Sequence, residues 1–96
     1  MAIRLIITIT AAPGKGDELA RLYPVRMREI MEEPGCEQFE VFQSLLNPDK
    51  LVLLEKWTDH AALDDHAQRN RTRTPVPPEL RAGPTEREDY EYKRTR

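Results

Sequence analysis

The sequence predicts an α+β fold with the element order βαββαβ. Three observations carry that prediction. Residues Ile3–Thr10, Cys36–Leu45, Leu51–Trp57 and Glu86–Arg94 follow the two-residue period of strands. A long stretch of helical spacing separates the first two runs, and a shorter one follows the third. The second and third runs are joined by Asn47-Pro48-Asp49-Lys50, which is turn chemistry: proline presets φ, and Asn and Asp bond their own backbone.

In the first strand Ile3, Leu5, Ile7 and Ile9 share one face, which packs against helices. Arg4, Ile6, Thr8 and Thr10 share the other, a mixed face suited to a semi-polar cavity or to a partner's sheet. Pro13-Gly14-Lys15-Gly16 breaks the strand, and Asp17 is the expected N-cap of a helix reaching about Glu33. Leu19, Leu22, Tyr23, Met27, Ile30 and Met31 form its apolar stripe. Pro24 interrupts that pattern, so the segment is either one kinked helix or two shorter ones. Pro34-Gly35 ends it.

In the second strand Phe39, Val41 and Leu45 share one parity, and Cys36, Gln38, Glu40 and Phe42 the other. The third strand places Leu51, Leu53, Glu55 and Trp57 on one face and Val52, Leu54 and Lys56 on the other. Apolar residues on both faces mark an inner strand. Thr58 or Asp59 caps the next helix, which runs to about Asn70 with Ala62, Leu63, His66 and Ala67 facing inward. Thr74-Pro75-Val76-Pro77-Pro78 cannot continue a helix and runs extended, and Glu79-Leu80-Arg81 is long enough for one short turn. The last strand sets Tyr90 and Tyr92 on one face with Glu88 and Arg94.

This order, with both helical crossovers on one side of a four-stranded antiparallel sheet, is the ferredoxin-like plan. It leaves the second sheet face bare, and a two-fold homodimer packing two such faces into a dimeric α/β barrel would cover it. With 96 residues the chain is expected to form a single domain over 1–96. A chain of this length buries only about 60–65% of its unfolded surface, a further reason to dimerise.

The net charge of −2 gives no global field to draw nucleic acid. The single cysteine, Cys36, excludes an internal disulfide and suits a reducing cytoplasm. One Cys and two His at this spacing build no zinc site. Leu5-Ile6-Ile7 is far too short for a membrane span, and no signal-peptide pattern follows Arg4. The expectation is a soluble cytoplasmic protein with neither nucleic-acid nor membrane partners.

Pro34-Gly35-Cys36, the run Asn47 to Trp57 ending in Glu55-Lys56-Trp57, and Ala61-Ala62-Leu63 followed by His66 resemble the antibiotic biosynthesis monooxygenase family. The first strand with Ala12-Pro13-Gly14-Lys15 fits too, so the resemblance covers residues 3 to 67 well and the last strand loosely. It implies a dimeric α/β barrel and, in active members, oxygenation of quinols or aromatic polyketides without flavin or metal. No cofactor is therefore expected. The pattern is similar to that of the small quinol-oxidising members. Polyketide-tailoring members carry an Asn and a Tyr where this chain has Leu53 and Leu63, and haem-degrading members use a first-strand Asn that residues 2 to 12 lack. The Pro-rich segment stands where the family has a helix.

Three residues are the candidates for catalysis, each with two readings. Trp57 either fills the core or an interface with its N–H bonded, or walls an aromatic pocket. Glu55 either pairs with an arginine, or sits in an apolar cavity with a raised pKa and takes a phenolic proton. His66 is either a hydrogen-bonded structural histidine or the general base for a quinol or anthrone hydroxyl, whose anion can pass an electron to oxygen directly. Thr8, Thr10, Phe42, Tyr90 and Tyr92 are the expected pocket lining around a small aromatic ligand. Arg69, Arg71 and Arg73 form either a solvated edge, the guard of a pocket, or a pairing surface for the acidic Glu86-Arg87-Glu88-Asp89 segment of a partner chain. The alternative function is a non-catalytic dimeric barrel binding a small aromatic ligand.

Overall fold

The structure, a computed structural model, describes all residues from Met1 to Arg96. Strand β1 (Ala2–Thr10) leads into α1 (Gly16–Ala20) and α2 (Tyr23–Met31). The hairpin β2 (Cys36–Gln43) and β3 (Lys50–Trp57) follows, then α3 (His60–Asn70), a 3-10 turn at Pro78–Leu80, and β4 (Glu86–Tyr92). The sheet order is β2-β3-β1-β4, with every pair antiparallel. This is the four-stranded ferredoxin-like arrangement that the periodicities predict.

The alternating face of β1 and β3 becomes the core. Ile3 lies opposite Trp57, Leu5 opposite Glu55, Ile7 opposite Leu53 and Ile9 opposite Leu51, so these side chains share one side of the pleat. Leu19 and Ile30 from the helices cover them, both fully buried. Leu63 joins from α3, and Leu80 from the 3-10 turn. No helix is long and apolar enough to cross a membrane.

Pro24 resolves the first helical segment into two helices. It sits in the first turn of α2, where its missing N–H costs nothing. Asp17 is not the cap of α1 but lies within its first turn, and its Oδ1 accepts a hydrogen bond from Gln43 Nε2 at 2.9 Å. The entrance to α1 is held by Asp49 from the β2–β3 turn, whose two carboxylate oxygens accept the N–H groups of Gly14 and Gly16, each at 2.9 Å. A Cβ on Gly16 would stand 1.9 Å from the Pro48 carbonyl oxygen, so only glycine allows the turn to approach this closely.

Two further expectations are corrected. β2 ends at Gln43, and Leu45 and Leu46 stand fully exposed in the turn. There the Ser44 Oγ and Asn47 Oδ1 side chains take backbone N–H groups and end the ladder. Cys36 does not share a face with Gln38. The register shifts between them, which sets Cys36 opposite Trp57 on the helix side. Asp59 does cap α3, accepting the Ala62 N–H at 2.9 Å. Gly35, at φ +80°, turns the chain into β2, and a Cβ there would meet Ala62 Cβ at 2.5 Å.

Candidate active site

A half-open cavity of about 760 Å³ lies between the helix side of the sheet and the elements packed on it. That volume suits a small organic ligand. Its floor is Leu5, Ile7, Ile9 and Leu53, with Phe39 from β2. Tyr23 of α2, Leu63 and His66 of α3, and Pro75 and Val76 of the Pro-rich segment form the walls. That segment brings no helix over the sheet, and the cleft stays open beside it.

Glu55 and His66 meet in this wall. Glu55 projects from the centre of β3 onto the core side of the pleat and is 3% exposed. Its Oε1 accepts the Trp57 Nε1–H at 2.9 Å, a bond between alternate residues of one strand. Burial raises the Glu55 carboxyl above the ordinary carboxylate range, against the opposing pull of the Trp57 N–H, His66 and Arg87. His66 Nε2 stands 4.0 Å from Glu55 Oε1. The Trp57 ring packs on the imidazole at 4.7 Å between centroids, and the Phe39 ring at 5.8 Å.

The other imidazole nitrogen is fixed by a residue that the sequence reading passed over. Glu33, buried just after α2, places Oε1 2.9 Å from His66 Nδ1. Its second oxygen accepts from Arg73 Nη2 at 2.5 Å. A carboxylate already paired with an arginine acts as an acceptor, so Nδ1 carries the proton in the neutral ring. Nε2 is then the free base, turned toward Glu55. A histidine oriented by a carboxylate behind it is the arrangement that general bases use. Glu33 stands two residues past the end of α2, its N–H bonded to the Ile30 carbonyl at 2.9 Å, and only that turn brings it beneath His66.

Trp57 is fully buried behind these groups and does not line the cavity. Its part is to hold Glu55 and support the imidazole. Thr8, Thr10, Phe42, Tyr90 and Tyr92 lie away from the cavity, on the opposite sheet face. There Tyr92 donates to Glu37 at 3.0 Å and Tyr90 to Glu88 at 2.5 Å. Arg71 and Arg73 belong to the cavity wall, whereas Arg69 pairs with Asp65 outside it.

Cys36 is half-buried, and its thiol is pushed up to about 11, first by burial and then by Glu33 and Glu55. It is therefore a protonated thiol rather than a nucleophile. No three His, Cys, Asp or Glu side chains converge as a metal-binding group.

Fold and site together define a class: a ferredoxin-like sheet whose helix-covered face holds a ligand-sized cavity with an oriented histidine and a buried carboxylate. Residues 2–74 match the antibiotic biosynthesis monooxygenase family, and the chain belongs to that family. Solved structures share the fold. A conserved protein from Methanosarcina mazei is 32% identical, with a TM-score of 0.84 over 97% of this chain and 94% of that one. A Pseudomonas aeruginosa protein is 25% identical, with a TM-score of 0.77 over 97% and 95% of the two chains. A Nitrosomonas europaea protein, provisionally described as an antibiotic biosynthesis monooxygenase, shares the fold at 18% identity, with a TM-score of 0.79 over 93% and 88%. No curated protein matches the chain.

Proposed function

We propose that this protein is a cofactor-independent monooxygenase of small aromatic quinols or phenols. The observation that carries the reading is His66: Nδ1 is tied to Glu33, and Nε2 is presented with Glu55 at the wall of an apolar-floored cavity. A substrate hydroxyl placed between them would donate to Nε2 and accept from the protonated Glu55, each at ordinary hydrogen-bond distance of about 2.8 Å. Nε2 takes the hydroxyl proton, and Glu33 stabilises the imidazolium that results. The substrate anion gives one electron to dissolved oxygen, and the resulting radical pair joins in a carbon–oxygen bond. The hydroperoxide then breaks its O–O bond. One oxygen atom leaves as water and the other stays on the ring, so a quinol and O₂ become a hydroxyquinone and H₂O. Burial that raises the Glu55 pKa suits it to donate a proton to the leaving oxygen.

The protein works, in this reading, as a homodimer through the bare sheet face. Ile6, Val52 and Leu54 there are half-buried in the single chain and Phe42 is exposed, which is apolar area a second copy would cover.

Oxygen uptake with a panel of quinols and anthrones tests the chemistry. Wild-type protein is expected to consume oxygen. His66→Ala, confirmed as folded by circular dichroism, is expected to lose about a hundredfold or more, the usual share of a general base. If no substrate supports uptake by wild type, the enzyme reading fails. A second reading, a non-catalytic barrel binding an aromatic ligand, is favoured by Leu53 and Leu63. Both line the cavity and offer it no polar group. Binding without uptake would establish that reading.

A further inference from the structure

The cavity wall has a chemistry that neither the histidine nor the fold requires. Five arginines line it: Arg26, Arg71, Arg73, Arg81 and Arg87. The same lining contains only two carboxylates, Glu55 and Asp64. Two more reach arginines from outside the lining: Asp89 grips Arg87 at 2.7 and 2.8 Å, and Glu33 holds Arg73. Arginine remains in excess with all four counted. Burial, which favours the neutral form of Glu55, widens that excess. This local excess of cations stands in a chain whose net charge is −2, so it is a property of the cavity and not of the whole molecule.

The arginines are also unequally satisfied. Arg26 donates to the Thr74 carbonyl but has no carboxylate partner. Arg71 and Arg81 make no side-chain hydrogen bond or ion pair at all. Arg73 uses Nη2 on Glu33, while its Nη1 is buried without a partner. A buried donor left unmatched is costly, so Arg73 is held at the cavity wall by its Nη2 bond alone. The supports of these residues are firm. Arg81 is pinned to the end of β1 by the Ala12 N–H to Leu80 carbonyl bond and the Ala82 N–H to Thr10 carbonyl bond, each 2.8 Å. Arg71 and Arg73 stand on consecutive turns closing α3, their N–H groups bonded to the carbonyls of Gln68 and Asn70.

We propose that the cavity takes its ligand as an aromatic oxyanion, the ring on the floor of Leu5, Ile7 and Leu53 and the carboxylate or phosphate on the arginine wall. Guanidinium groups suit this role because their paired N–H donors match an oxyanion's two oxygens. The inference deepens the function proposed above by giving its substrate class, and rests on that reading only in taking the same cavity as the ligand's.

Isothermal titration tests it with 2-naphthoate, 2-naphthyl phosphate and the neutral isostere 2-naphthamide. At least one anion is expected to bind about tenfold or more tighter than the amide, as one charge-assisted pair would give. Whichever anion is preferred identifies the headgroup. The preference is expected to weaken with added salt and to vanish in the double variant Arg71→Gln/Arg81→Gln, both of which alter side chains without internal partners. Arg69→Gln, outside the cavity, is expected to retain it. Equal binding of amide and anions, no binding of any of them, or a preference that survives the double variant would overturn the proposal. Oxygen uptake separates this from the catalytic reading. Anion-selective binding without uptake on any quinol sinks the oxygenase and leaves the oxyanion seat. Uptake with neutral quinols and no anion preference does the reverse.

Discussion

The two faces of strand β3 put similar chemical groups into opposite circumstances. Leu51, Leu53, Glu55 and Trp57 are all buried on the helix side, while Val52, Leu54 and Lys56 alternate with them on the bare side and are only half-covered. The helix side carries its polar groups as a chain: Arg73 to Glu33, Glu33 to His66, and His66 beside Glu55, which holds the Trp57 N–H. The bare side also carries polar groups: Arg4 donates to Gln38, Gln38 to Glu40, and Arg4 and Lys56 lie over the Tyr92 ring. Those groups remain near water, where each contact is worth little. The helix-side chain is largely buried, with only Arg73 partly open to water, so each member depends on its neighbour. One residue of register decides which regime a carboxylate joins.

The largest test of this contrast is Trp57→Ala. It removes a fully buried indole and the only donor to Glu55 Oε1. Loss of about 3–5 kcal/mol of unfolding free energy is expected, the range for large-to-small changes in a core. Denaturant titration measures it, and a loss under about 1 kcal/mol would mean that the core side is less tightly packed than its burial indicates.

Glu33→Ala comes next. It leaves His66 Nδ1 and Arg73 Nη2 without their acceptor. The expected cost is about 2–3 kcal/mol, because bonds to charged groups exceed neutral ones and Arg73 retains partial access to water. The chemical signature is separate from the thermodynamic one. Nδ1–H loses its fixed acceptor, so the ¹⁵N tautomer pattern of His66 is expected to change while that of the exposed His60 does not.

Glu55→Gln acts through pH. Burial raises the folded pKa of Glu55, so the folded state holds its proton more tightly than the unfolded state. The stability associated with that proton is complete below the ordinary carboxylate range and is lost as pH rises through the folded pKa. Glutamine keeps an oxygen for the Trp57 N–H but cannot ionise. The variant is therefore expected to gain on wild type as pH increases from 4 toward 8 and to match it most closely at the acid end. Unfolding free energies at several pH values check the sign. A gap that shrinks with rising pH would show that the carboxylate is stabilised in place.

The elements of the fold were legible because each rests on local signals. The alternation of Ile3, Leu5, Ile7 and Ile9, the Asn-Pro-Asp turn and the Asp59 cap act over a few residues, and each forms where the sequence indicates. Within the site, Glu55, His66 and Trp57 do come together. Glu33 was hidden because its partners lie 33 and 40 residues away, and its neighbours Met31 and Glu32 are exposed. The side of the sheet that holds the cavity was also not legible, since each strand offers polar and apolar groups on both faces. The decision is made by the Pro-rich segment, which leaves the helix side open beside Pro75 and Val76. Thr8, Thr10, Phe42, Tyr90 and Tyr92 therefore stand on the other face. The arginines at 71, 81 and 87 are drawn from three separate segments, so no single stretch of sequence displays the cluster they form.

The smallest expected effect belongs to the bare face, and it sharpens the comparison because it is small. Phe42→Ser alters a side chain that is 48% exposed and outside both the core and the cavity. On an isolated protomer the change is expected to stay within about 0.5 kcal/mol, as for surface positions in general. A protomer whose bare face meets a second copy behaves differently. Phe42 is then interfacial, and the substitution lowers the melting temperature of a dilute sample more than that of a concentrated one, because dimer formation draws the equilibrium toward the folded state by mass action. Melting curves at two protein concentrations, with light scattering for mass, separate the cases. Concentration-dependent melting that the substitution abolishes supports pairing through this face. Identical curves for wild type and variant, with a monomeric mass, would leave the helix side as the only face of the sheet under selection for packing.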